Sequence, residues 1–357
     1  MGHHRHELTG HPVIPFDPET VTGVASMLNQ LRDISFQGRT LGTAFDVWQS
    51  ALKDRTLIFL GLAGAMVPAG LRKVVRYLVR ERLIDVIVTT GANMFHDLYE
   101  TLGYAHFKCN PETNDVMLRE ARLDRMYDVL GDDRIYHECD HLIASIAQEF
   151  QGKPATTREY FRRLGVRLAE KGKEDGILTA AARAGVPIIS SAPNDSSFGI
   201  AIASDKGKGV PMLFDTIRDV KDMGEMCGKA RTTGVIFVGG GSPKNYTQQA
   251  WVTAEYLGLE GAGHKYCIQF TADAPHWGGL SGCTFQESQS WGKIDKDPKI
   301  AVVYGDATIA LPILAAGLHE IRASKLRKAL PSFGKPNEMK FSFEPVNGKP
   351  AKVRARR

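Results

Sequence analysis

"TLIFLGLAGAMVPAGLRKVVRYLVRERLIDVIVTTGANM", Thr56 to Met94, sets an amphipathic run between two short apolar ones. Leu71, Val74, Val75, Leu78 and Val79 recur at helical spacing, while "TLIFLGL" and "IDVIVTT" read as buried strands ending in Gly or Thr. Strand, helix and strand in immediate succession make a βαβ unit, which brings its strands together in parallel. The alternation returns around "VPIISSAPND", "GVIFVGGGSPKN", "KYCIQFTADAP" and "KIAVVYGDATIALPIL". Six such runs predict an α/β fold with a doubly wound, mostly parallel, Rossmann-like sheet covered by helices on both faces. Residues 1–40 read as an N-terminal arm and lead-in, with helical pattern from Gln30 to Ser50. Residues 41–330 read as a single domain, and residues 331–357, rich in Gly, Pro, Lys and Arg, as a loose basic tail.

Bulk composition narrows the function classes. The chain has 357 residues, 43% hydrophobic and 24% charged, which is ordinary for a water-soluble globular protein. Much of its net charge of +5 lies in the terminal "KPAKVRARR", so a nucleic-acid-binding body is not indicated. No apolar run approaches the roughly 20 residues needed to span a bilayer, and the first residues lack a secretory h-region. The five cysteines are scattered and odd in number, which fits reduced thiols in a cytoplasmic protein.

In a doubly wound sheet, ligands gather at the carboxyl ends of the strands. Here those ends are small and polar: Gly64-Ala65-Met66, Thr90-Gly91, Asp195, Gly239-Gly240-Gly241, Thr271-Ala272-Asp273 and Asp306-Ala307. Small residues admit close backbone approach, and helix N-termini there can hold a pyrophosphate. The glycine spacing departs from G-x-G-x-x-G, so the nucleotide reading rests on all six loops together. "HECDH" (His137 to His141) matches H-E-x-x-H, but Asp140 lies between the histidines and no third zinc ligand follows at a recognisable spacing; a polar helix start is the simpler reading. His3, His4 and His6 read as part of a flexible tail.

The long irregular stretch from Thr271 to Lys293 carries Trp277, Trp291, Asp273 and Glu287, a wall suited to a cationic aliphatic substrate. Lys293 ends it, just before the run "KIAVVYG". A lysine in such a place becomes a nucleophile for imine chemistry when its surroundings supply neutral amine.

"SWGK" with Glu287 six residues before the lysine, then "YGDAT", resembles the deoxyhypusine synthase family. "FLGLAGAMVPAGLRKVVRYLV", "DVIVTTGA" and "FVGGGSPKN" match the family's other blocks in order, over roughly residues 40 to 325. The resemblance implies a homotetramer with active sites built across subunit interfaces. It also implies NAD-dependent transfer of an aminobutyl group from spermidine to an amine, through an imine on Lys293. NAD would contact Gly64, Ala65, Met66, Thr90, Gly91, Asp195, Gly240, Thr271, Ala272, Asp306 and Ala307. Glu287, Trp291, Ser281 and Gly282, with Asp273, would line the polyamine slot.

Departures from the family pattern redirect the expected substrate. Asn245 stands where the eukaryotic enzymes carry a histidine, so proton transfer falls to water or to His96. His96 itself replaces a glutamate that holds a substrate ammonium, and Ile200 replaces an aspartate of the slot. These features resemble the bacterial deoxyhypusine-synthase-like branch, some of whose members use a small amine acceptor. Putrescine, giving homospermidine, is the expected acceptor, ahead of an agmatine-type amine or a protein lysine of a translation factor. A non-catalytic NAD- or polyamine-binding homologue and a zinc hydrolase are the competing classes.

Overall fold

The computed structural model describes residues 10–204, 212–335 and 337–346. Its strands are β1 (Leu57–Leu62), β2 (Val86–Thr89), β3 (Phe107–Lys108), β4 (Leu123–Met126), β5 (Val129–Asp132) and β6 (Ile188–Ser190). They continue with β7 (Thr233–Val238), β8 (His264–Thr271), β9 (Ile294–Tyr304), β10 (Ala329–Lys335) and β11 (Glu338–Pro345). The six runs read from the sequence form one sheet in the order β6-β2-β1-β7-β8-β9, parallel at every pairing.

Why the central strands read as continuous apolar runs is plain from their burial. All residues of β1, β2 and β7 are buried, because helices cover both faces. Successive side chains of β1 go to opposite sides. Ile58, Leu60 and Leu62 join Phe45, Trp48, Val75, Leu78, Leu311 and Leu314, whereas Leu57 and Phe59 join Met223, Met226, Trp251 and Phe333. The chain builds outward from β1 through β2 to β6, then returns to the other side of β1 with β7, β8 and β9. The direction of winding therefore reverses between β1 and β7, and a crevice opens at their carboxyl ends.

Three expectations are corrected. The boundary at residue 40 cuts the helix Phe36–Lys53, whose Phe45 and Trp48 sit in the core, so the lead-in is two helices (the other is Val24–Asp33). The boundary at residue 330 cuts β10, and β10 and β11 pair antiparallel where a loose tail was expected. Phe333, Met339, Phe341 and Phe343 pack the hairpin onto the second apolar cluster, an alternation that the surrounding Gly, Pro and Lys obscure. Third, β3, β5 and β4 form a small antiparallel sheet between the helices Gly91–Thr101 and Asp133–Gln148. Residues 347–357, the end of the expected basic tail, lie outside the described residues, as do His3, His4 and His6.

Candidate active site

The residues expected to hold a dinucleotide lie at or after the carboxyl ends of the sheet strands, on both sides of the switch point. Gly64 turns the chain after β1 with φ +73°, a conformation that favours glycine. Gly240, after β7, lies so close to the 281 loop that a Cβ would stand 2.3 Å from the Cα of Ser281. The helix Gly91–Thr101 begins here without a side-chain cap, leaving first-turn N–H groups for an anion. In the helix Gly241–Tyr256 the Gly241 amide goes to Ser281 Oγ and Pro243 has no N–H, so its first turn offers the Ser242 amide. Asn93, which the sequence reading passed over, braces the crevice. Its Oδ1 accepts from the amides of Met66 (3.1 Å) and Val67 (3.3 Å), and its Nδ2 donates to the Gly64 carbonyl at 2.8 Å. Asp306 spends its carboxylate on capping the helix Ala307–Glu320, through the Thr308 amide. Asp195 is exposed.

From the crevice a buried polar network descends along the helix Gly241–Tyr256. Ser281 Oγ accepts the Gly241 amide at 3.1 Å. Gln269 Nε2 donates to the carbonyls of Gly239 (2.9 Å) and Ser281 (2.8 Å), and its Oε1 accepts from Lys244 Nζ at 2.9 Å. Lys244 also donates to the Cys283 carbonyl and lies over the Phe285 ring. Only 1% exposed, its ammonium is pushed down to about 8 by burial, against the opposing pull of Cys283 and Glu287. No signal in the sequence marked this lysine as internal.

Lys293 is held by the next residue of the same helix. Its Nζ donates to Asn245 Oδ1 at 3.1 Å and lies 5.3 Å from the Trp291 ring centroid. The side chain is half-buried, and Trp291 is 66% exposed. Asn245 also lines a cavity of about 310 Å³ with Ser191, Ser242, Tyr246, Gln249 and Leu280. The Lys293 carbonyl accepts the amide of His264, the first residue of β8. The lysine backbone therefore sits at the amino ends of the strands, and its side chain reaches toward the first turns of the helix. Gly282 is buried against the Ala274 carbonyl, while Asp273, Glu287 and Trp277 are exposed. The expected tryptophan wall is thus divided within one chain: Trp291 stands by Lys293, and Trp277 has His276 as its ring neighbour.

His96 is placed elsewhere, one turn past Asn93. Its Nδ1 lies 3.0 Å from His106 Nε2, and His106 Nδ1 lies 2.8 Å from Glu100 Oε1. Burial, with a smaller effect of His106, pulls His96 down to about 3, so its ring is neutral across the working range. Ile200 is 64% exposed on the short helix after β6. His137 lies 3.8 Å from both Asp133 and Asp140 on its own helix, and 3.4 Å from Arg122. Among the described residues, no cluster of three metal-ligating side chains includes it.

The family described as deoxyhypusine synthase matches residues 26–318. The chain is 42% identical over 332 residues to "Probable deoxyhypusine synthase 2" of Methanosarcina acetivorans, covering 92% of this chain and 96% of that protein. It is 35% identical to the "Deoxyhypusine synthase-like protein" of Coxiella burnetii over 296 residues, 81% of this chain and 84% of the relative. A crystal structure assigned as a deoxyhypusine synthase from Entamoeba histolytica superposes with a TM-score of 0.57 at 16% identity. It covers 87% of this chain and 97% of that one, a likeness of fold.

Proposed function

This chain belongs to the deoxyhypusine synthase family, and from that premise we propose that it is an NAD-dependent transferase acting on spermidine. It moves the aminobutyl group to a small amine, putrescine, giving homospermidine, through an imine on Lys293. The observation that carries this reading is the setting of Lys293: one N–H bond to a neutral amide, an indole alongside and, among the described residues, no carboxylate bound to its nitrogen. A lysine so held keeps its orientation while its nitrogen can still attack.

The uncapped start of the helix Gly91–Thr101 and the glycine contacts of the crevice fit a dinucleotide. Gly64, Ala65, Met66, Thr90, Gly91, Gly240, Thr271, Ala272, Asp306 and Ala307 would hold it, with Asp195 at the rim. NAD bound there supplies the hydride acceptor for the carbon beside the secondary amine, and returns the hydride at the end. The chain's own part is nucleophilic. Lys293 Nζ adds to the oxidised four-carbon unit, 1,3-diaminopropane leaves, and the acceptor amine then displaces Lys293 in the same way. Glu287, Asp273, Ser281, Gly282 and Trp291 would guide the cationic chain. Because the Lys293 backbone lies at the amino ends of the strands and Trp277 and Trp291 are exposed, the reading includes completion of each site by a second copy, in a homotetramer. Scattered free cysteines support a cytoplasmic setting.

The roughly 310 Å³ cavity beside Asn245 suits a small acceptor. A protein-lysine acceptor is the second reading, favoured by the names of the relatives. Incubation with NAD, spermidine and separate acceptors, followed by product masses, tests both. A new triamine from putrescine supports the first, and labelling of a translation factor alone supports the second. Failure of borohydride to trap any adduct with NAD and spermidine present would leave a non-catalytic binder.

A further inference from the structure

Glu100, His106 and His96 are linked in line by two hydrogen bonds, whose direction depends on the imidazole tautomers. A carboxylate only accepts, so His106 donates from Nδ1 to Glu100. A neutral His106 then offers Nε2 as an acceptor, and His96 must donate to it from Nδ1. His96 Nε2 is left as a bare lone pair that makes no hydrogen bond among the described residues. His96 lies one turn past Asn93, on the helix whose first residues open onto the crevice. The other end leads outward: the His106 side chain is 5% exposed and that of Glu100 23%.

We propose that these three residues form a proton wire serving the crevice. A proton taken up at His96 Nε2 forms a new N–H bond there. The Nδ1–H bond of His96 breaks as His106 Nε2–H forms, and the Nδ1–H bond of His106 breaks as an O–H bond forms on Glu100. One proton has moved, no electrons have, and both imidazoles end neutral in the opposite tautomer. His96 does not have to become an imidazolium in surroundings that disfavour one. The inference rests on the proposed amine chemistry, in which the substrate nitrogen loses a proton before its neighbouring carbon is oxidised. Run in reverse, the same wire returns the proton when the imine is reduced.

The groups facing the wire come from several elements. Arg72 lies 3.7 Å from Glu100 and pairs with Asp97 and Glu174. Tyr99 lies tilted against His106 and Tyr104 against Tyr99, with Tyr104 bonded to Glu138, and Tyr136 packs on His96. Cys139 and Asp132 stand behind Tyr99.

Two variants test the wire with spermidine, NAD and the acceptor that wild type uses. Glu100→Gln keeps the shape but cannot take the proton. It should lower kcat by about 10²-fold with the spermidine KM unchanged. His106→Gly should fall similarly and recover at least several-fold with added imidazole, a response that a packing role would not give. A Glu100→Gln enzyme with wild-type kcat, or a His106→Gly enzyme that imidazole does not rescue, overturns the wire. If wild type itself traps no aminobutyl group, the functional reading has failed instead. Melting temperatures and NAD binding of both variants separate misfolding from either outcome, and the imidazole rescue remains decisive where Glu100→Gln does not fold.

Discussion

Two lysines meet where the helix Gly241–Tyr256 touches the segment 281–293, and their surroundings are opposite. Around Lys244 everything is closed: the ammonium is buried, shifted down to about 8 by burial, and committed to Gln269, the Cys283 carbonyl and the Phe285 ring. Around Lys293 the site is open: one neutral partner, a half-exposed stem and an indole facing outward. A perturbed ammonium is often taken as the mark of a nucleophile, and by that test Lys244 would be chosen. Access decides otherwise. Lys244 ties the crevice loops to the segment that carries Lys293, so we read it as a positioning residue.

The largest effect that could break this comparison is covalent. With NAD and spermidine, borohydride should fix an aminobutyl group on Lys293 and leave Lys244 unmodified, as peptide masses would show. Lys293→Ala should abolish the adduct and lower turnover by about 10³-fold or more. An adduct on Lys244 would exchange the two roles.

Lys244→Met should act first on stability. It leaves Gln269 Oε1 and the Cys283 carbonyl without their donor, at about 1–3 kcal/mol for each buried acceptor. The same change should alter the pH dependence of unfolding. Lys244 has a folded value of about 8 against about 10.5 unfolded, so both states hold the proton below pH 8 and the folded state bears the full burden of a buried charge. Between about pH 8 and 10.5 the unfolded state binds more protons, and this contribution makes folding more favourable as pH rises, by on the order of 3 kcal/mol over the window. Denaturant titrations of wild type and Lys244→Met across that range should therefore diverge. Parallel curves would show that Lys244 is not the buried cation it is here taken to be.

Asn245 is where the open node can be tuned. Asn245→Asp sets a carboxylate against Lys293 Nζ and favours the charged, non-nucleophilic form. It should slow adduct formation by about 10²-fold at neutral pH, with partial recovery in alkali, whereas Asn245→Ala should cost about tenfold. Single-turnover trapping at several pH values would separate the two. Equal losses would mean that Asn245 matters through packing alone.

The contrast between the nodes also explains what could be read from the chain. Apolar runs of β1, β2, β6, β7, β8 and β9 were visible because strands buried on both faces leave a continuous signal. The crevice residues were visible because each run ends in small or capping residues. Lys293 showed itself by its aromatic, glycine-rich setting. Lys244 did not, since one lysine on a helix looks like any surface lysine until Gln269, 25 positions away in sequence, is brought against it. His106 escaped for the same reason: its partners, His96 and Glu100, are joined to it only when the chain turns back after the helix Gly91–Thr101. The hairpin β10–β11 was hidden by its own Gly and Lys content. Local pattern exposes strands and turns; polar networks closed by tertiary contact leave no local trace.

The smallest expected effect concerns Trp291. Its ring lies 5.3 Å from Lys293 Nζ yet is 66% exposed, so solvent weakens the cation–π contact toward the lower end of its range, about 0.5–1 kcal/mol. If that contact merely steadies Lys293, Trp291→Phe should change adduct formation two- to fivefold, and Trp291→Leu little more. If the indole also covers the methylenes of a polyamine seated between subunits, its removal takes away buried apolar surface in the assembled site. Trp291→Leu should then raise the spermidine KM by about tenfold or more while leaving kcat within a few-fold. The ratio of the two effects separates a residue that serves the lysine from one that serves the substrate, and the divided tryptophan wall argues for the second.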